Sequence, residues 1–403
     1  MVLHGLVTAL FSQLVSSLAP HSPGLGDLAG IIFSVLPVHC EAVAGVVGRA
    51  DILAGLFSLL TLLTHQHQGW SLATPFLASL AMLAKEQGVT VLAVCCLLDL
   101  SNAKLSQKDK QSSILRSGLS LIIILSVRAI CLGGELPTFS RADNPASHSD
   151  SDLTRALTFL YLPVFNMMLL VCPSTLSYDW SMTSIPLVTS LTDSRNIGSL
   201  AFYSLLLCFT SKLLLSFYQQ FEPTTPVHLS SPWKTNLSKT RLAGRSSSSN
   251  TPGPSRHLRR SQIETISIIA LALSLIILPF LPAANIFFYV GFVVAERLLY
   301  LPSLGYSLLV ALGVRRLSTL QPLLSRLGLA LLLLSAGLRT LARNTDWQNE
   351  ETLFKSGLTV NPAKSFSNLG NILYAKGQLQ DSEIVFKEAL RCRPNMADTH
   401  YNL

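Results

Sequence analysis

The sequence predicts an all-α protein in which a polytopic bundle of transmembrane helices is followed by a short region of water-soluble helices. Hydrophobic residues make up 49% of the 403-residue chain and charged residues only 13%. An average soluble domain has ~25% charged residues. Apolar runs close to the roughly 20 residues that cross a bilayer recur from residue 2 to residue 341. Beyond residue 343 the composition becomes that of a soluble helical region.

The apolar runs define a first domain, residues 1–343. Candidate spans are 2–18, 25–36, 43–64, 70–84, 88–100, 114–132, 196–217, 265–281, 287–312 and 323–341. Several are shorter than a full crossing, so we expect tilted, partly buried or broken helices among them.

Basic connectors predict which way the spans run, because Lys and Arg collect in cytosolic loops. The basic connectors are 101–115 with Lys104, Lys108 and Lys110, 219–262 with Lys234, Lys239, Arg241, Arg245, Arg256, Arg259 and Arg260, and the pair Arg315-Arg316. Counting spans between them puts the C-terminus on the non-cytosolic side. It also leaves 132–195 as a non-cytosolic or interfacial segment. Within it, 156–193 is predicted to be interfacial or re-entrant, because Pro163, Pro173 and Pro186 break it.

The connector 219–262 is of low complexity, with four consecutive serines from Ser246 and prolines nearby. We predict a disordered cytosolic loop. It contains the glycosylation triplet that starts at Asn236. On the cytosolic side this asparagine is expected to remain unmodified.

Charge and cysteine content exclude other classes of function. The net charge of +8 fits a topology signal, and no nucleic-acid-binding motif accompanies it, so no nucleic-acid partner is expected. The seven cysteines lack metal or redox spacing. Residues 1–18 lack the basic start and cleavage site of a signal peptide. They look like the interior of a membrane helix, which suggests that a preceding segment is missing.

The stretch 36–51 gathers four ionisable side chains where a long apolar segment begins. His39 and Glu41 open the stretch, and Arg49 and Asp51 close it. On a helix, Glu41 and Asp51 return to roughly the same side after nearly three turns. Charges at that depth are costly and usually pair or line a cavity. They form either a paired Glu41/Arg49/Asp51 cluster that fixes helix packing or part of a functional site.

With the predicted topology, charged side chains from distant segments emerge on one face of the membrane. These are His39/Glu41/Arg49/Asp51, Lys85-Glu86, Asp143/Arg155, Asp179 with its neighbour Trp180, Asp193/Arg195 and Glu296-Arg297. Ionisable residues gathered at one membrane edge indicate a site. For any single pair, a solvated helix end is the alternative.

A 34-residue helical repeat follows the membrane domain. Leu369-Gly370, Leu373-Tyr374, Gly377, Ser382, Phe386, Ala389 and Pro394 fall at tetratricopeptide (TPR) offsets, and Asn368-Leu369 recurs as Asn402-Leu403. We predict a second domain, 344–403, with one full repeat over 363–396 and the start of another. Since such arrays need about three units, further repeats are expected beyond it.

Four blocks resemble the transmembrane and tetratricopeptide-repeat (TMTC) proteins. They are 37–51 (PVHCEAVAGVVGRAD), 84–90 (AKEQGVT), the segment from Arg141-Ala-Asp-Asn-Pro through Thr154-Arg to Tyr178-Asp-Trp-Ser, and 295–306 (AERLLYLPSLGY), followed by Asn344-Thr-Asp-Trp347 and the repeat. The resemblance covers nearly the whole chain, and by comparison with the family the chain looks truncated at both ends.

The resemblance implies a GT-C-like glycosyltransferase of the endoplasmic reticulum membrane, with the charged face and the C-terminus in the lumen. It implies protein O-mannosylation, the transfer of mannose from dolichyl-phosphate mannose to Ser/Thr of cadherin-type acceptor proteins. The donor is a membrane lipid, and no cofactor or metal ion is expected. The TPR region is expected to bind protein partners.

The resemblance also assigns roles. In the family, an acidic residue in the first lumenal loop takes the proton of the acceptor hydroxyl. The matching part lies upstream of 2–18, so the catalytic residue is unassigned, with Glu41 and Asp51 as candidates. If Met1 is the true start, the expected base is missing from the chain. Implied substrate-binding residues are His39, Arg49, Lys85, Glu86, Arg155, Glu296 and Arg297. Arg297 and Lys85 are preferred for the lipid phosphate.

A non-catalytic membrane scaffold is the competing hypothesis. In it, the TPR units bind a lumenal partner and the helix bundle only anchors them. A transporter is less favoured, because the polar groups cluster at one face and no inverted repeat is evident.

Overall fold

The computed structural model describes residues 1–102, 105–133, 138–221 and 254–403, and these contain α-helices and 3₁₀ turns but no strand. The all-α prediction is therefore confirmed for the described part of the chain. Lys104, Asn236 and most of the connector predicted to be disordered lie outside the described residues.

Sixteen α-helices are seen in these ranges. They are α1 (Val2–Leu18), α2 (Leu25–Ser34), α3 (Cys40–Ala44), α4 (Arg49–Gln68), α5 (Ala73–Ala84), α6 (Val91–Ser101), α7 (Gln107–Cys131), α8 (Asp152–Val171), α9 (Arg195–Phe221), α10 (Pro254–Ile277), α11 (Tyr300–Leu320), α12 (Pro322–Asp346), α13 (Glu350–Ser356), α14 (Pro362–Ala375), α15 (Leu379–Cys392) and α16 (Ala397–Asn402). The 3₁₀ turns are Pro37–His39, Glu86–Thr90, Pro145–His148, Leu281–Ala283, Glu296–Leu299 and Gly357–Thr359.

Several helices are long and apolar enough to cross a membrane. In the described ranges these are Gln107–Cys131, Asp152–Val171, Arg195–Ser216, Gln262–Ala283, Glu296–Leu320 and Pro322–Asp346. α2 and the segment Pro37–Ala44 form a further candidate span that bends by 59° at its break. The chain is thus a multi-pass membrane protein.

The helices α4, α5, α11 and α12 each begin or end at the same end of the bundle. We call the end that carries Glu41, Asp51, Lys85, Glu296 and Arg297 the charged edge. α4 and α11 begin there, whereas α5 and α12 end there. This alternation is the one that the basic connectors predict.

At the end of the bundle opposite the charged edge, hydrogen bonds connect the turn between α1 and α2 with α10 and α11. The backbone N–H of His21 donates to Oε2 of Glu264 at 3.1 Å. The Arg315 guanidinium donates to the carbonyl of Pro23 at 2.7 Å. Arg315 belongs to one of the basic connectors, so this connector lies opposite the charged edge.

Two predicted span boundaries were wrong. The run predicted as a helix from residue 287 is irregular up to Ala295, and α11 begins only at Tyr300. The run predicted as a helix from residue 43 breaks at Gly45, and α4 begins at Arg49. In both places the chain leaves the helix at the charged edge, so hydropathy alone extended each span too far.

α8 has the length and mean hydropathy of a span, 20 residues and 1.5. Both of its halves nevertheless contact segments that lie at the charged edge. Thr158 accepts a hydrogen bond from the Val188 backbone N–H at 2.9 Å. Leu169 shares a hydrophobic cluster with Trp180 and Leu299. The interfacial placement of 132–195 stays a prediction.

α10 and α11 approach each other closely at Gly305. A Cβ atom at Gly305 would lie 2.1 Å from the carbonyl oxygen of Ala272. Only glycine fits there, because the clashing atom belongs to the backbone and cannot rotate away. This contact fixes α11, the helix that carries the Glu296–Leu299 turn at its start.

The C-terminal helices form a hairpin in which α14 packs on α15. The Phe386 ring fills the space over Gly370, where a Cβ would lie 2.5 Å from it. The Ser382 hydroxyl donates to the Gly370 carbonyl at 2.8 Å. These contacts fit a small-residue helix pair. The domain boundary at 344 and the repeat limits 363–396 stay predictions.

We predict that Gly305→Ala lowers the free energy of unfolding by about 1–3 kcal/mol, as overpacking of a tight helix contact usually does. Thermal unfolding in detergent measures the change. Gly313→Ala, on the same helix with no atom within 4 Å of its Cβ, is the matched control. Equal melting temperatures for the two variants would contradict the close packing of α10 and α11.

We also predict that glycosylation triplets inserted beside Asp143 and beside Trp347 are both modified, since both lie on the side of the charged edge. A triplet beside Lys108 should stay unmodified. Endoglycosidase-sensitive mobility shifts measure the outcome. Opposite results for the first two sites would contradict the topology.

Candidate functional site

Glu41 and Arg297 form a buried ion pair at the charged edge. Glu41 lies in the first turn of α3, and Arg297 lies in the turn that leads into α11. The Arg297 guanidinium donates to Oε1 of Glu41, and its backbone N–H donates to Oε2 at 3.0 Å. Only 6% of the Glu41 side chain is exposed. The pair therefore compensates a charge that would be costly to bury alone.

Asp51 forms a second buried pair, with Lys85. Its Oδ2 accepts from Lys85 Nζ at 3.1 Å, and its Oδ1 accepts from Gln87 Nε2 at 3.0 Å. The Asp51 side chain is fully buried. Because Asp51 lies in the first turn of α4, the free N–H groups of the helix start also favour its negative charge.

A glycine turn places the two carboxylates near each other. At Gly48, a Cβ would lie 2.4 Å from Cα of Ala42, so any side chain would push α3 away from α4. A Cβ at Gly45 would lie 3.3 Å from the nearest atom of the Trp347 ring. With this turn, Asp51 lies within electrostatic range of Glu41.

Glu296 is the third buried carboxylate of the charged edge. Its Oε1 accepts from the Ser177 backbone N–H at 2.6 Å and from Trp180 Nε1 at 3.0 Å. Among the described residues, Oε2 has no hydrogen-bond partner. Glu296 thus holds the loop 176–181 against the bundle with one oxygen and leaves the other free.

Arg343 lies buried at the end of α12, within electrostatic range of Glu296. Its Nη1 donates to Asp346 at 2.9 Å and to the Ser356 hydroxyl at 3.2 Å. Nε and Nη2 find no partner among the described residues. Arg343 is thus a buried guanidinium with unused donors, within electrostatic range of a carboxylate that has one unused oxygen.

His39 is buried and packed among aromatic rings. Its Nε2 pairs with the Ser303 hydroxyl at 2.8 Å, and its ring lies 4.5 Å from the ring of Phe33 and 4.9 Å from that of Tyr300. A buried ring in such a setting fixes α2 to α11. Its predicted contact with substrate stays a prediction.

The remaining predicted site residues lie apart from the two buried pairs. Arg49 is exposed, and within the described ranges it has no ion pair. Glu86 pairs with Arg128 of α7, and the Glu86 side chain is 62% exposed. Arg155 pairs with Asp152 at the start of α8 and faces a separate cleft.

The loop 176–181 also contacts the C-terminal helices. Asn361 Nδ2 donates to Asp179 Oδ1 at 3.0 Å. The Tyr178 hydroxyl lies 3.3 Å from the Ser365 hydroxyl and accepts from Asn368 at 3.2 Å. Burial raises the pKa of the Tyr178 hydroxyl, which keeps it protonated. The loop thereby connects Glu296 to the start of α14.

The predicted Glu41/Arg49/Asp51 cluster was wrong in its pairing. Glu41 pairs with Arg297 and Asp51 with Lys85, whereas Arg49 points to the surface. The prediction assumed a continuous helix, and the glycine turn breaks that helix before Arg49.

Gln87 and Arg343 were missed as members of the site, whereas Trp180 was predicted to lie on the same face. Gln87 stands in a block that carries the family resemblance, and its amide is a hydrogen-bond donor for a buried carboxylate. Arg343 had a signal of its own, since an arginine near the end of an apolar helix is rarely left unpaired. The sequence could not say that Arg343 points inward.

The chemistry of these contacts limits the role of the two candidate bases. All four carboxylate oxygens of Glu41 and Asp51 accept hydrogen bonds. A general base needs an oxygen within reach of the acceptor proton. In the described residues, both carboxylates hold neighbouring segments through these contacts, and their role as a base stays a prediction. No group of three or more His, Cys, Asp or Glu among the described residues is placed to hold a metal ion.

Comparisons with known proteins give the family. The family model "Protein O-mannosyl-transferase TMTC, DUF1736" matches residues 133–207, which include α8 and the loop 176–181. Protein O-mannosyl-transferase TMTC2 of Homo sapiens is 41% identical to this chain over 453 aligned residues, covering 99% of it. The chain belongs to the TMTC family. The resemblance noted above is thereby confirmed.

Other relatives extend the match. Protein O-mannosyl-transferase Tmtc1 of Drosophila melanogaster is 35% identical and TMTC3 of Homo sapiens 33% identical, each over 100% of this chain. The alignments cover 52% of Tmtc1 and of human TMTC2 and 43% of human TMTC3, so this TMTC chain spans about half the length of the relatives it matches. No solved structure gives a significant match.

We predict that Arg297→Met lowers the free energy of unfolding of this TMTC chain by about 3–5 kcal/mol, because it leaves Glu41 buried and unpaired. Adding Glu41→Gln should restore part of the loss, since the amide oxygen still accepts from the residue-297 backbone N–H. Thermal unfolding in detergent measures both variants.

Arg316→Met is the control, because Arg316 is exposed. It should leave the melting temperature unchanged. A double variant as unstable as the single one would show that the charge of Glu41 is not what Arg297 compensates.

Proposed function

We propose that this chain is the membrane part of a protein O-mannosyl-transferase of the endoplasmic reticulum. It transfers mannose from dolichyl-phosphate mannose to Ser or Thr of lumenal proteins with cadherin-type domains. The observation that carries the proposal is 41% identity over 99% of the chain to a protein named an O-mannosyl-transferase. The buried charges at one edge of the bundle support it, because they give a preorganised polar surface next to the lipid.

The reaction sets two electrostatic requirements at this edge. A carboxylate takes the proton of the acceptor hydroxyl, which is a weak nucleophile until then. Positive charge beside the departing phosphate stabilises the charge that develops on it. The Arg297 and Lys85 side chains are 28% and 20% exposed, so both cations reach the surface from their buried partners.

The contacts of the carboxylates bear on the choice of base. Each oxygen of Glu41 and Asp51 already accepts one hydrogen bond, and Glu296 Oε2 accepts none among the described residues but is buried. None of the three is proposed as the base. Their role in the mechanism is to hold Arg297, Lys85 and the loop 176–181 in place, so that the acceptor meets a fixed surface.

The loop 176–181 gives the C-terminal helices a role in acceptor binding. Its contacts with Asn361 and Glu296 join the predicted TPR region to the charged edge. An acceptor held by the C-terminal helices would then reach the edge at a fixed distance. This arrangement suits modification of folded protein domains.

A scaffold function is the second candidate, and the surface of the C-terminal hairpin favours it. Leu379 and Ile384 on α15 are each about 60% exposed, which suits a partner protein or a further helical repeat. A cadherin-type domain that binds the full chain but not its Leu379→Asp/Ile384→Asp form, with no sugar transferred, would support the scaffold.

We predict that membranes containing this chain transfer labelled mannose from dolichyl-phosphate mannose to a cadherin-type domain. Arg297→Ala should lower the transfer rate by about 10²-fold, the size of the loss when one preorganised electrostatic contact is removed. Arg297→Lys keeps the charge and should retain more of the rate. The amount of folded protein is matched by size-exclusion chromatography before rates are compared.

Human TMTC2 serves as the reference in the same assay. If it transfers mannose and this chain does not, the enzymatic proposal fails for this chain. Equal rates for Arg297→Ala and the unchanged chain would remove Arg297 from the mechanism.

A further inference from the structure

A narrow apolar groove runs along the seam between α9 and α10. Its part near the charged edge has a volume of about 130 Å³ and is lined by Phe202, Leu206, Ile277 and Leu281, among other apolar residues. Ile277 also lines a larger part, about 540 Å³, that continues past Leu214 toward the start of α7. The two parts form one path along the helix seam.

The length and width of the path fit one extended hydrocarbon chain. From Phe202 to Leu214 the groove follows α9 for roughly 18 Å, at 1.5 Å per residue. Near the charged edge the volume is only about 130 Å³, which is enough for part of one chain and too small for two chains side by side.

The groove opens into a polar cleft at its charged-edge end. The cleft has a volume of about 450 Å³ and is lined by Asp152, Arg155, Phe159 and Tyr289. Ile286 lines both the cleft and the groove, so the two cavities adjoin. An amphiphile can therefore place its head beside Arg155 and its chain along α9.

Buried hydrogen bonds of Asn285 fix the loop that lies between the two cavities. Asn144 Nδ2 donates to Asn285 Oδ1 at 2.9 Å, and the Val290 backbone N–H donates to the same oxygen at 3.1 Å. Asn285 has a φ of 57°, in the left-handed region that few residues other than glycine adopt. The hydrogen bonds offset this strain and fix the loop 286–289, whose Phe287 is 72% exposed.

Charge pairing singles out Arg155 as the cation for an anionic head. Lys85 and Arg297 already face carboxylates that are buried. The partner of Arg155 is Asp152, whose side chain is 92% exposed. Surface pairs of this kind contribute little to stability, so an arriving phosphate displaces Asp152 at little cost. The neighbouring Tyr289 hydroxyl adds a polar group beside Arg155.

We propose that the cleft and the groove together bind a lipid with one phosphate head and one long isoprenoid chain. The phosphate lies beside Arg155 and Tyr289, and the chain follows the α9–α10 seam. The choice of an isoprenoid rests on the proposed function, in which the sugar donor has such a carrier. Arg155 anchors the phosphate of the bound carrier, whereas Arg297 and Lys85 supply positive charge beside it during transfer.

The test uses the full chain in phosphatidylcholine nanodiscs and a photoreactive isoprenyl phosphate. Leu206→Trp fills the groove and should lower labelling by about fivefold or more, since a buried ring replaces the space for the chain. Leu207→Trp is the matched control, because Leu207 is the next residue on α9 and is exposed to lipid. Labelled peptides should come from α9 and α10. Equal labelling of the two variants would overturn the groove assignment.

The position of the phosphate head beside Arg155 is tested by measuring the affinity of the chain for isoprenyl phosphate. Arg155→Gln should weaken binding about tenfold, the loss of one charge-assisted contact, whereas Asp152→Asn should strengthen it by removing the competing carboxylate. The uncharged isoprenol should bind Arg155→Gln and the unchanged chain alike. Arg316→Gln, at an exposed arginine distant from the cleft, is the control. An unchanged affinity in Arg155→Gln would overturn the head assignment.

A second arm distinguishes the sources of the phosphate. Phosphatidic acid with two acyl chains and inorganic phosphate should each compete less than isoprenyl phosphate. If phosphatidic acid competes equally, the site is for membrane phospholipid and the isoprenoid assignment is wrong. If inorganic phosphate competes equally, the groove contributes nothing and the proposal fails.

These outcomes are separate from those of the proposed function. Mannose transfer that is unaffected by Leu206→Trp and Arg155→Gln would overturn this site and leave the transferase intact. Isoprenyl phosphate binding without mannose transfer would keep the site and count against the transferase.

Discussion

The structure depends on the cost of burying charge beside a membrane. Glu41, Asp51 and Glu296 are nearly inaccessible to water, and each is compensated by donors from a different segment of the chain. Removing one member leaves an uncompensated charge in a medium of low dielectric constant. The helices that begin or end at the charged edge therefore cannot move independently of one another. This is why the edge can present a fixed polar surface next to lipid.

Glu296 shows how the constraint passes from the bundle to the soluble part. One of its oxygens accepts from both Ser177 and Trp180, and the same loop reaches Asn361 through Asp179. The segment matched by the family model contains this loop. A loop that is short and irregular thus joins the membrane helices to the C-terminal hairpin. Its backbone is satisfied by a buried carboxylate in place of a helix or sheet.

Much of the architecture could be predicted from the sequence because hydropathy and basic loops report directly on the bilayer. The all-α class, the presence of many spans and the gathering of Glu41, Lys85 and Arg297 at one end follow from those signals. Pairing could not be predicted, since Arg297 lies 256 positions from Glu41 and nothing local indicates which carboxylate it meets. The helix break before Arg49 was missed because Gly45 and Gly48 are tolerated in membrane helices.

The separation of Glu41 and Arg297 along the chain has a consequence for biosynthesis. Asp51 finds Lys85 only 34 residues later, so this pair can form soon after α5 is made. Glu41 has to wait for a partner that is synthesised after ten of the sixteen described helices. Until then, Glu41 lacks the guanidinium that compensates its charge, and burying that charge alone is costly. We therefore expect the charged edge to reach its final packing only after the turn before α11 has been synthesised.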